Sequence, residues 1–266
     1  MLTTHYAHGA PSWLDLGCRH PGASAAFYSG LFGWDMRPLG PQAGGYGFFQ
    51  LDGRTVAALG PSAGEGTSPS WTLYFQADDA DATAKAVEQA GGTVRFGPFD
   101  VFANGRTAGF TDPGGAEFSV WQPRETRGLD VVTEPGSLCW AELFVPDPAA
   151  AIAFYGSVLD WQAQDVPYGD TGYTLLSTSD RGPSGGGSTL GAVVRITDEM
   201  AGAGVVPRWL PYFEVTDCDA VVRAADRLGG TVVMAPQHTE GVGRFAHLAD
   251  PGGAVFAVIT SQPPRS

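Results

Sequence analysis

The sequence predicts an α+β chain of two tandem domains, each built from two βαβββ modules. Three observations carry that reading. Segments return in order: Phe27-Tyr28-Ser29-Gly30-Leu31-Phe32-Gly33-Trp34 comes back as Phe154-Tyr155-Gly156-Ser157-Val158-Leu159-Asp160-Trp161, and Asp112-Pro113-Gly114-Gly115 as Asp250-Pro251-Gly252-Gly253. The spacing is constant within blocks. Trp13 to Trp140 and Tyr46 to Tyr173 are offset by 127 positions, while Trp71 to Trp209, Asp79 to Asp217, Arg106 to Arg244 and Asp112 to Asp250 are offset by 138. Each copy then divides again into strand, helix and further strands. A repeat of this kind sets the domain count before any other fold reasoning.

Residues 12–18 read as a strand and 21–32 as a helix, followed by strands at 48–51 and 54–59. The order recurs as strand 71–77, helix 80–90, and strands near 93–96, 106–111 and 117–122. Helix 80–90 stops at Gly91-Gly92, because glycine tolerates the left-handed conformation that ends helices. Gly229-Gly230 plays the same part in the second copy. The two Asp-Pro-Gly-Gly strings are hairpin turns: proline presets one dihedral and glycine supplies positive φ. The expected domains span 10–123 and 137–262, joined by a polar linker at 124–136. The change of offset places an 11-residue insertion between Tyr173 and Trp209. The glycine-rich run 182–188 is its natural home, and is expected to be a mobile flap.

Composition excludes several classes. Hydrophobic residues make up 43% of the chain, which fits a globular protein rather than a disordered one. No apolar run is long enough to span a bilayer. Residues 1–8 lack a basic stretch followed by an apolar one, so no signal peptide is expected and a cytoplasmic location is. Net charge is −13 and Lys85 is the only lysine, against nucleic-acid binding. Cys18, Cys139 and Cys218 lack metal-type spacing and read as small buried residues in a reducing compartment.

The strand, the Ala-x-x-Phe-Tyr helix ending in Gly-Trp, and the Asp-Pro-x-Gly hairpin before the last strand resemble the vicinal oxygen chelate superfamily. That group includes glyoxalase I, bleomycin-resistance proteins, fosfomycin-resistance enzymes and extradiol dioxygenases. The chain is similar in particular to tandem glyoxalase-like actinobacterial proteins often labelled hydroxylases. The resemblance covers nearly the whole chain and implies two glyoxalase-like domains, each a curved-sheet cup. It implies less about function, since one fold hosts unrelated activities.

The resemblance also implies a divalent metal at the mouth of each cup, held by His or Gln on a first strand and Glu on a last strand. Such a metal polarises paired oxygens or stabilises an enolate and needs N and O donors. The corresponding positions here are Trp13, Thr72, Trp140 and Leu210 on first strands, and Ser119 and Ala257 on last strands. None is His, Glu or Asp. No family-type metal and no other cofactor is therefore expected, and glyoxalase I and extradiol dioxygenase chemistry are both unexpected.

Residues i and i+2 of a strand share a face. The ligand-position face carries Trp13 and Asp15; Thr72, Tyr74 and Gln76; Trp140 and Glu142; and Leu210, Tyr212 and Glu214. Last strands add Glu117, Ser119 and Trp121 in copy one but only Val255, Ala257 and Ile259 in copy two. Copy one is thus the expected principal site. Asp15, Glu142, Glu117 and Ser119 are the candidate catalytic residues, with Trp13, Tyr74, Trp121 and Trp140 as substrate-binding walls. Trp71 could join them if its face is as assigned. A carboxylate in an aromatic cleft can act as a general acid or base. The alternatives are a packing role for the tryptophans and a structural pairing of Asp15 and Glu142, for instance with Arg106 or Arg244. Those arginines start equivalent strands and read as ion-pair formers.

Other motifs add little. His247, three before the hairpin Asp, reads as a packed core residue. The Gly-x-Ser-x-Gly strings at 60–64 and 182–186 have proline before the serine and no helix pattern after it, so they are not nucleophile elbows. The expected function is metal-independent action on a small, aromatic organic molecule in secondary metabolism or detoxification, as an isomerase, lyase or oxygenase-type tailoring enzyme. The alternative is a bleomycin-resistance type of protein that sequesters its ligand. A purely structural module is a third class. The expected partner is the small-molecule ligand, without nucleic acid or membrane, in a monomer or weak homodimer.

Overall fold

The computed structural model of the chain describes residues 2–62, 68–166, 173–179 and 189–262. The first module runs β1 (Pro11–Cys18), α1 (Pro21–Phe32), β2 (Asp35–Pro38), β3 (Gly47–Leu51) and β4 (Arg54–Pro61). The second runs β5 (Ser70–Gln76), α2 (Ala80–Gln89), β6 (Thr93–Val101), β7 (Gly105–Thr111) and β8 (Glu117–Pro123). The third runs β9 (Leu138–Val145), α3 (Pro148–Leu159), β10 (Gln162–Val166), β11 (Tyr173–Ser177) and β12 (Thr189–Arg195). After the short helix α4 (Asp198–Gly202), the fourth runs β13 (Arg208–Glu214), α5 (Cys218–Arg227), β14 (Thr231–Thr239), β15 (Gly243–Ala249) and β16 (Val255–Ser261). The α+β class, the fourfold βαβββ order and the tandem arrangement are as the sequence predicts.

Local chemistry explains where the elements start and stop. Asp79 accepts the backbone N–H groups of Asp81 and Ala82, and Asp147 and Asp217 accept those of Ala150 and Ala220. Each carboxylate satisfies donors that the first helical turn leaves unpaired. His20 holds the equivalent place before α1 but makes no side-chain cap bond; Pro21 opens that helix instead. Gly115 and Gly253 both adopt φ +97 in the two hairpins. The hairpin aspartates close the turns, with Asp112 Oδ1 accepting the Ala116 N–H and Asp250 Oδ1 that of Ala254, each at 2.8 Å.

The strands form two eight-stranded sheets, in the orders β2-β3-β4-β1-β5-β8-β7-β6 and β10-β11-β12-β9-β13-β16-β15-β14. Within every module the first strand pairs in parallel with the last, as in Asp15↔Ala58, Tyr74↔Ser119, Glu142↔Ala192 and Tyr212↔Ala257. Parallel first and last strands require the intervening helix to cross over one face.

Side-chain packing divides the chain differently from the repeat. One compact unit comprises Met1–Trp13, Thr72–Gly128 and Trp140–Leu210, and the other Leu14–Trp71, Leu129–Cys139 and Pro211–Ser266. The first unit joins the second and third modules, with α2 against α3. Its core stacks Tyr155 on Trp161, with Phe75, Phe118 and Trp209 edge-on or tilted around them. The Tyr155 hydroxyl accepts from Trp209 Nε1 at 2.9 Å and donates to Asp112 Oδ2 at 3.1 Å. The second unit joins the first and fourth modules, with α1 against α5, around Tyr28, Trp34, Phe49, Phe213 and Phe256. There Trp71 Nε1 donates to the Tyr28 hydroxyl at 3.0 Å. The Phe-Tyr helix of each repeat therefore packs with the hairpin aspartate of the other.

Trp71 is a correction to the sequence reading. Trp71, Leu73 and Phe75 alternate onto the helix-covered side of β5 and are all buried, so Trp71 is part of that aromatic core and not a wall of the opposite face. Segment 124–136 is tied to its surroundings: Arg54 pairs bidentately with Glu134, the Thr55 N–H donates to Asp130, and Trp34 Nε1 donates to the Gly136 carbonyl at 2.8 Å. The expected flap at 182–188 and the second Gly-x-Ser-x-Gly string lie outside the described residues. Ser62 of the first string follows the end of β4 and donates its N–H to the Cys18 carbonyl.

Candidate functional site

Burial alternates along β1 and β5 and shows which face is less covered there. On β1, Leu14 and Leu16 are fully buried, while Asp15 between them is partly exposed. The Tyr46 hydroxyl donates to Asp15 Oδ2 at 2.9 Å. Tyr46 stands just before β3, where its N–H donates to Ala43 and its carbonyl accepts from Leu39. Its ring lies across Gly60: a Cβ there would come within 2.6 Å of the ring, so only glycine leaves room. The third module repeats the arrangement. On β9, Glu142 is buried on the face opposite Ala141 and Leu143, and Tyr173 at the start of β11 donates to its Oε1 at 2.6 Å. Sequence reasoning marked the two tyrosines only as repeat landmarks. Their shared offset with Asp15 and Glu142 was the signal that each belongs with a carboxylate.

The remaining candidates take varied places. Trp13 is buried and Trp140 half-buried, each two residues before the carboxylate of its strand. Tyr74 lies opposite Ser119, and Gln76 opposite Trp121, across the β5–β8 pairing. Ser119 is fully buried and its Oγ has no hydrogen-bond partner among the described residues. Trp121 is buried, with its Nε1 donating to the Thr126 carbonyl at 2.8 Å. Glu117 is exposed at the start of β8 and pairs with Arg95 at 2.9 Å. Arg106 binds Asp81 and Asp100, and Arg244 binds Asp219, so both are structural ion-pair formers as expected.

The fourth module adds a pair not anticipated. Tyr212 hydroxyl and His247 Nε2 are 2.9 Å apart, and both side chains are buried. His247 on β15 lies opposite Ala257, as does Tyr212 on β13, so it shares the face of that apolar last strand. It is packed, as the sequence suggests, but it also brings a polar group to a face that β16 alone leaves without one. Cys139 Sγ donates to the Tyr212 carbonyl at 3.3 Å, and burial, followed by the nearby Glu214 charge, pushes its thiol well above the usual range. Cys18, Cys139 and Cys218 are all buried and free.

The side chains at the metal-ligand positions do not fit a divalent ion. Indole at Trp13 and Trp140, alkyl groups at Leu210 and Ala257, and neutral hydroxyls at Thr72 and Ser119 supply no imidazole or carboxylate. Among the described residues no group of three or more His, Cys, Asp or Glu is placed to hold a metal ion.

Fold and motif together define the class. The description of the Glyoxalase/Bleomycin resistance protein/Dioxygenase superfamily matches residues 10–120, and that of a glyoxalase-like domain matches 139–259. The chain belongs to this superfamily. Among its relatives, the anthracycline biosynthesis protein DnrV of Streptomyces peucetius is 40% identical, over 96% of this chain and 94% of its own. The anthracycline biosynthesis protein DauV of Streptomyces sp. (strain C5) is 41% identical with the same coverage. Similar solved structures include the Mn(II)-bound glyoxalase of Novosphingobium aromaticivorans, with TM-score 0.63 and 21% identity over 95% of this chain and 82% of that one. The 2,3-dioxygenase LapB of Pseudomonas sp. KL28 gives TM-score 0.64 and 16% identity over 97% and 95%. At these identities the structures share the fold. No helix among the described residues is long and apolar enough to cross a membrane.

Proposed function

We propose that the protein is a secondary-metabolite tailoring enzyme that acts on a small aromatic molecule without the metal of its superfamily. The observation that carries the reading is the carboxylate–tyrosine hydrogen bond found in both repeats, Asp15 with Tyr46 and Glu142 with Tyr173. The tyrosine holds one carboxylate oxygen in place. An oriented carboxylate takes a proton from an acidic C–H or O–H of the substrate and returns it at another atom or to a leaving group. Those two outcomes are isomerisation and elimination, and neither needs an external oxidant. Trp13, Tyr74, Trp121 and Trp140 supply aromatic surface for a planar substrate, and Ser119 a buried hydroxyl. Glu117, exposed and paired with Arg95, is assigned to orientation of its strand end rather than to proton transfer.

The relatives named for anthracycline biosynthesis support the choice of substrate class. The experiment is incubation with intermediates of anthracycline biosynthesis, followed by product analysis. An enzyme converts more molecules than there are chains. Uptake that stops at the number of chains and releases unchanged ligand identifies a sequestering protein instead.

A further inference from the structure

A cavity of about 280 Å³ lies beside the end of β5, lined by residues 4–6 of the N-terminal arm, Gln76, Pro123, Arg124 and Arg127. It uses none of the residues assigned above to proton transfer or to the aromatic walls. Its frame is tied by backbone hydrogen bonds. The Gly9 N–H donates to the Gln76 carbonyl and the Gln76 N–H to the Ala10 carbonyl, both at 2.8 Å, while the N–H groups of Arg124 and Thr126 both donate to the Asn104 carbonyl.

Two features of the lining point to a ligand. Gln76 is only 8% exposed, and its carboxamide oxygen has no hydrogen-bond partner among the described residues. Buried acceptors are nearly always satisfied, so an open one beside a cavity calls for a donor. The rim is cationic in a chain of net charge −13. Arg124 is shared with Asp100 through two hydrogen bonds, and Arg127 is exposed with no ion pair among the described residues. Guanidinium groups take carboxylates in two-pronged geometry. The Tyr6 ring and Pro123 offer apolar surface to the body of a ligand.

We propose that this cavity binds a small organic carboxylate that also bears a hydroxyl. The carboxylate sits at Arg127 and Arg124, and the hydroxyl donates to the Gln76 carboxamide oxygen.

The test is calorimetric titration of the full chain with three matched probes. Mandelate carries both groups and is expected to saturate at one site per chain. Phenylacetate lacks only the hydroxyl and is expected to bind about five- to tenfold more weakly, the worth of one hydrogen bond. Mandelamide keeps the hydroxyl without the charge and is expected to be weaker than mandelate as well. Arg127→Ala, at an exposed position, is expected to weaken mandelate severalfold with an unchanged melting temperature. Gln76→Leu is expected to remove the gap between mandelate and phenylacetate. Should Gln76→Leu not fold, Arg127→Ala with the three probes decides alone. Absence of saturation, equal affinity for mandelate and phenylacetate, or mandelate binding that Arg127→Ala leaves intact would each overturn the proposal.

Discussion

The Tyr155 hydroxyl donates to Asp112 Oδ2 at 3.1 Å, joining the Phe-Tyr helix of the second repeat to the hairpin of the first. The same hydroxyl accepts from Trp209 Nε1, so three residues that recur in the repeat meet inside one compact unit. The counterpart set is Tyr28, Trp71 and Asp250. It is looser: among the described residues Asp250 Oδ2 has no hydrogen bond of ordinary geometry, burial raises its carboxyl, and the nearby Tyr28 hydroxyl only tempers that rise. These contacts explain why the Phe-Tyr and Asp-Pro-Gly-Gly strings repeat together: each is the other's packing partner.

Tyr155→Phe leaves a buried indole N–H and a buried carboxylate oxygen without their partner. The expected cost is about 1–3 kcal/mol, the penalty for orphaned buried polar groups. That corresponds to a fall of roughly 2–4 °C in melting temperature per kcal/mol for a chain of this size class. A thermal melt checks it, and an unchanged Tm would mean that the hydroxyl is not holding the hairpin.

Asp112 makes a pH prediction. Burial pushes its carboxyl above the ordinary 3.8, against the pull of the Ala116 N–H and the Tyr155 hydroxyl. A carboxyl with a raised folded pKa favours folding most while it is protonated. Its contribution therefore falls as pH rises from the unfolded value through the folded one. Asp112→Asn cannot ionise and escapes that loss. The melting temperature of the variant minus that of the wild type is thus expected to rise as pH climbs from the ordinary carboxylate value of 3.8 upward. Melts across that range would contradict the account if the difference stayed flat or fell.

The two compact units each draw on both repeats, so half of the chain lacks the partners of its own helices: α1 packs with α5, and α2 with α3. A fragment of residues 1–128 is expected to be unfolded, or to pair with a second copy of itself. Co-expression with 129–266 is expected to restore a folded species. Sedimentation that finds fragment 1–128 as a folded monomer would show that the repeat, and not the mixed unit, is the folding domain.

Much of this fold was legible because its signals are local. Helix α1 occupies the range 21–32 read as helix, and the hairpins fall where Asp-Pro-Gly-Gly demands positive φ. Alternation also placed Asp15 and Glu142 on the face opposite their buried neighbours. Strand β2 was missed because Asp35–Pro38 is short and mostly exposed, with no alternation to detect. Helix α4 was missed because five residues capped by Thr197 carry no period. The exchange of helix partners between repeats was not legible, since it is a long-range choice that strand and turn patterns do not encode. The tyrosine partners of the site escaped for a related reason. Tyr46 reaches Asp15 from the loop before β3, 31 residues away in sequence.

Among the candidate site residues, the two readings of the function separate by which substitutions matter. For an enzyme, Asp15→Asn and Glu142→Gln are expected to lower turnover by about 10²–10⁴, the usual contribution of a general acid or base, with small changes in melting temperature. For a sequestering protein, Trp13→Ala and Trp121→Ala are expected to dominate the loss of affinity, while the carboxylate changes matter little. Ligand titrations and melts on the four variants distinguish these outcomes. Loss of stability in all four without a ligand effect would place these residues in the core alone.

In the proposed function the tyrosine-held carboxylates Asp15 and Glu142, and not a bound metal, do the chemistry. Its most direct test is turnover of an anthracycline intermediate by protein dialysed against EDTA, with metal content measured on the same sample. Well under one metal per chain, many products per chain, and a rate unchanged by added divalent ions are expected. A rate that vanishes on chelation and returns with one equivalent of metal per chain would contradict it.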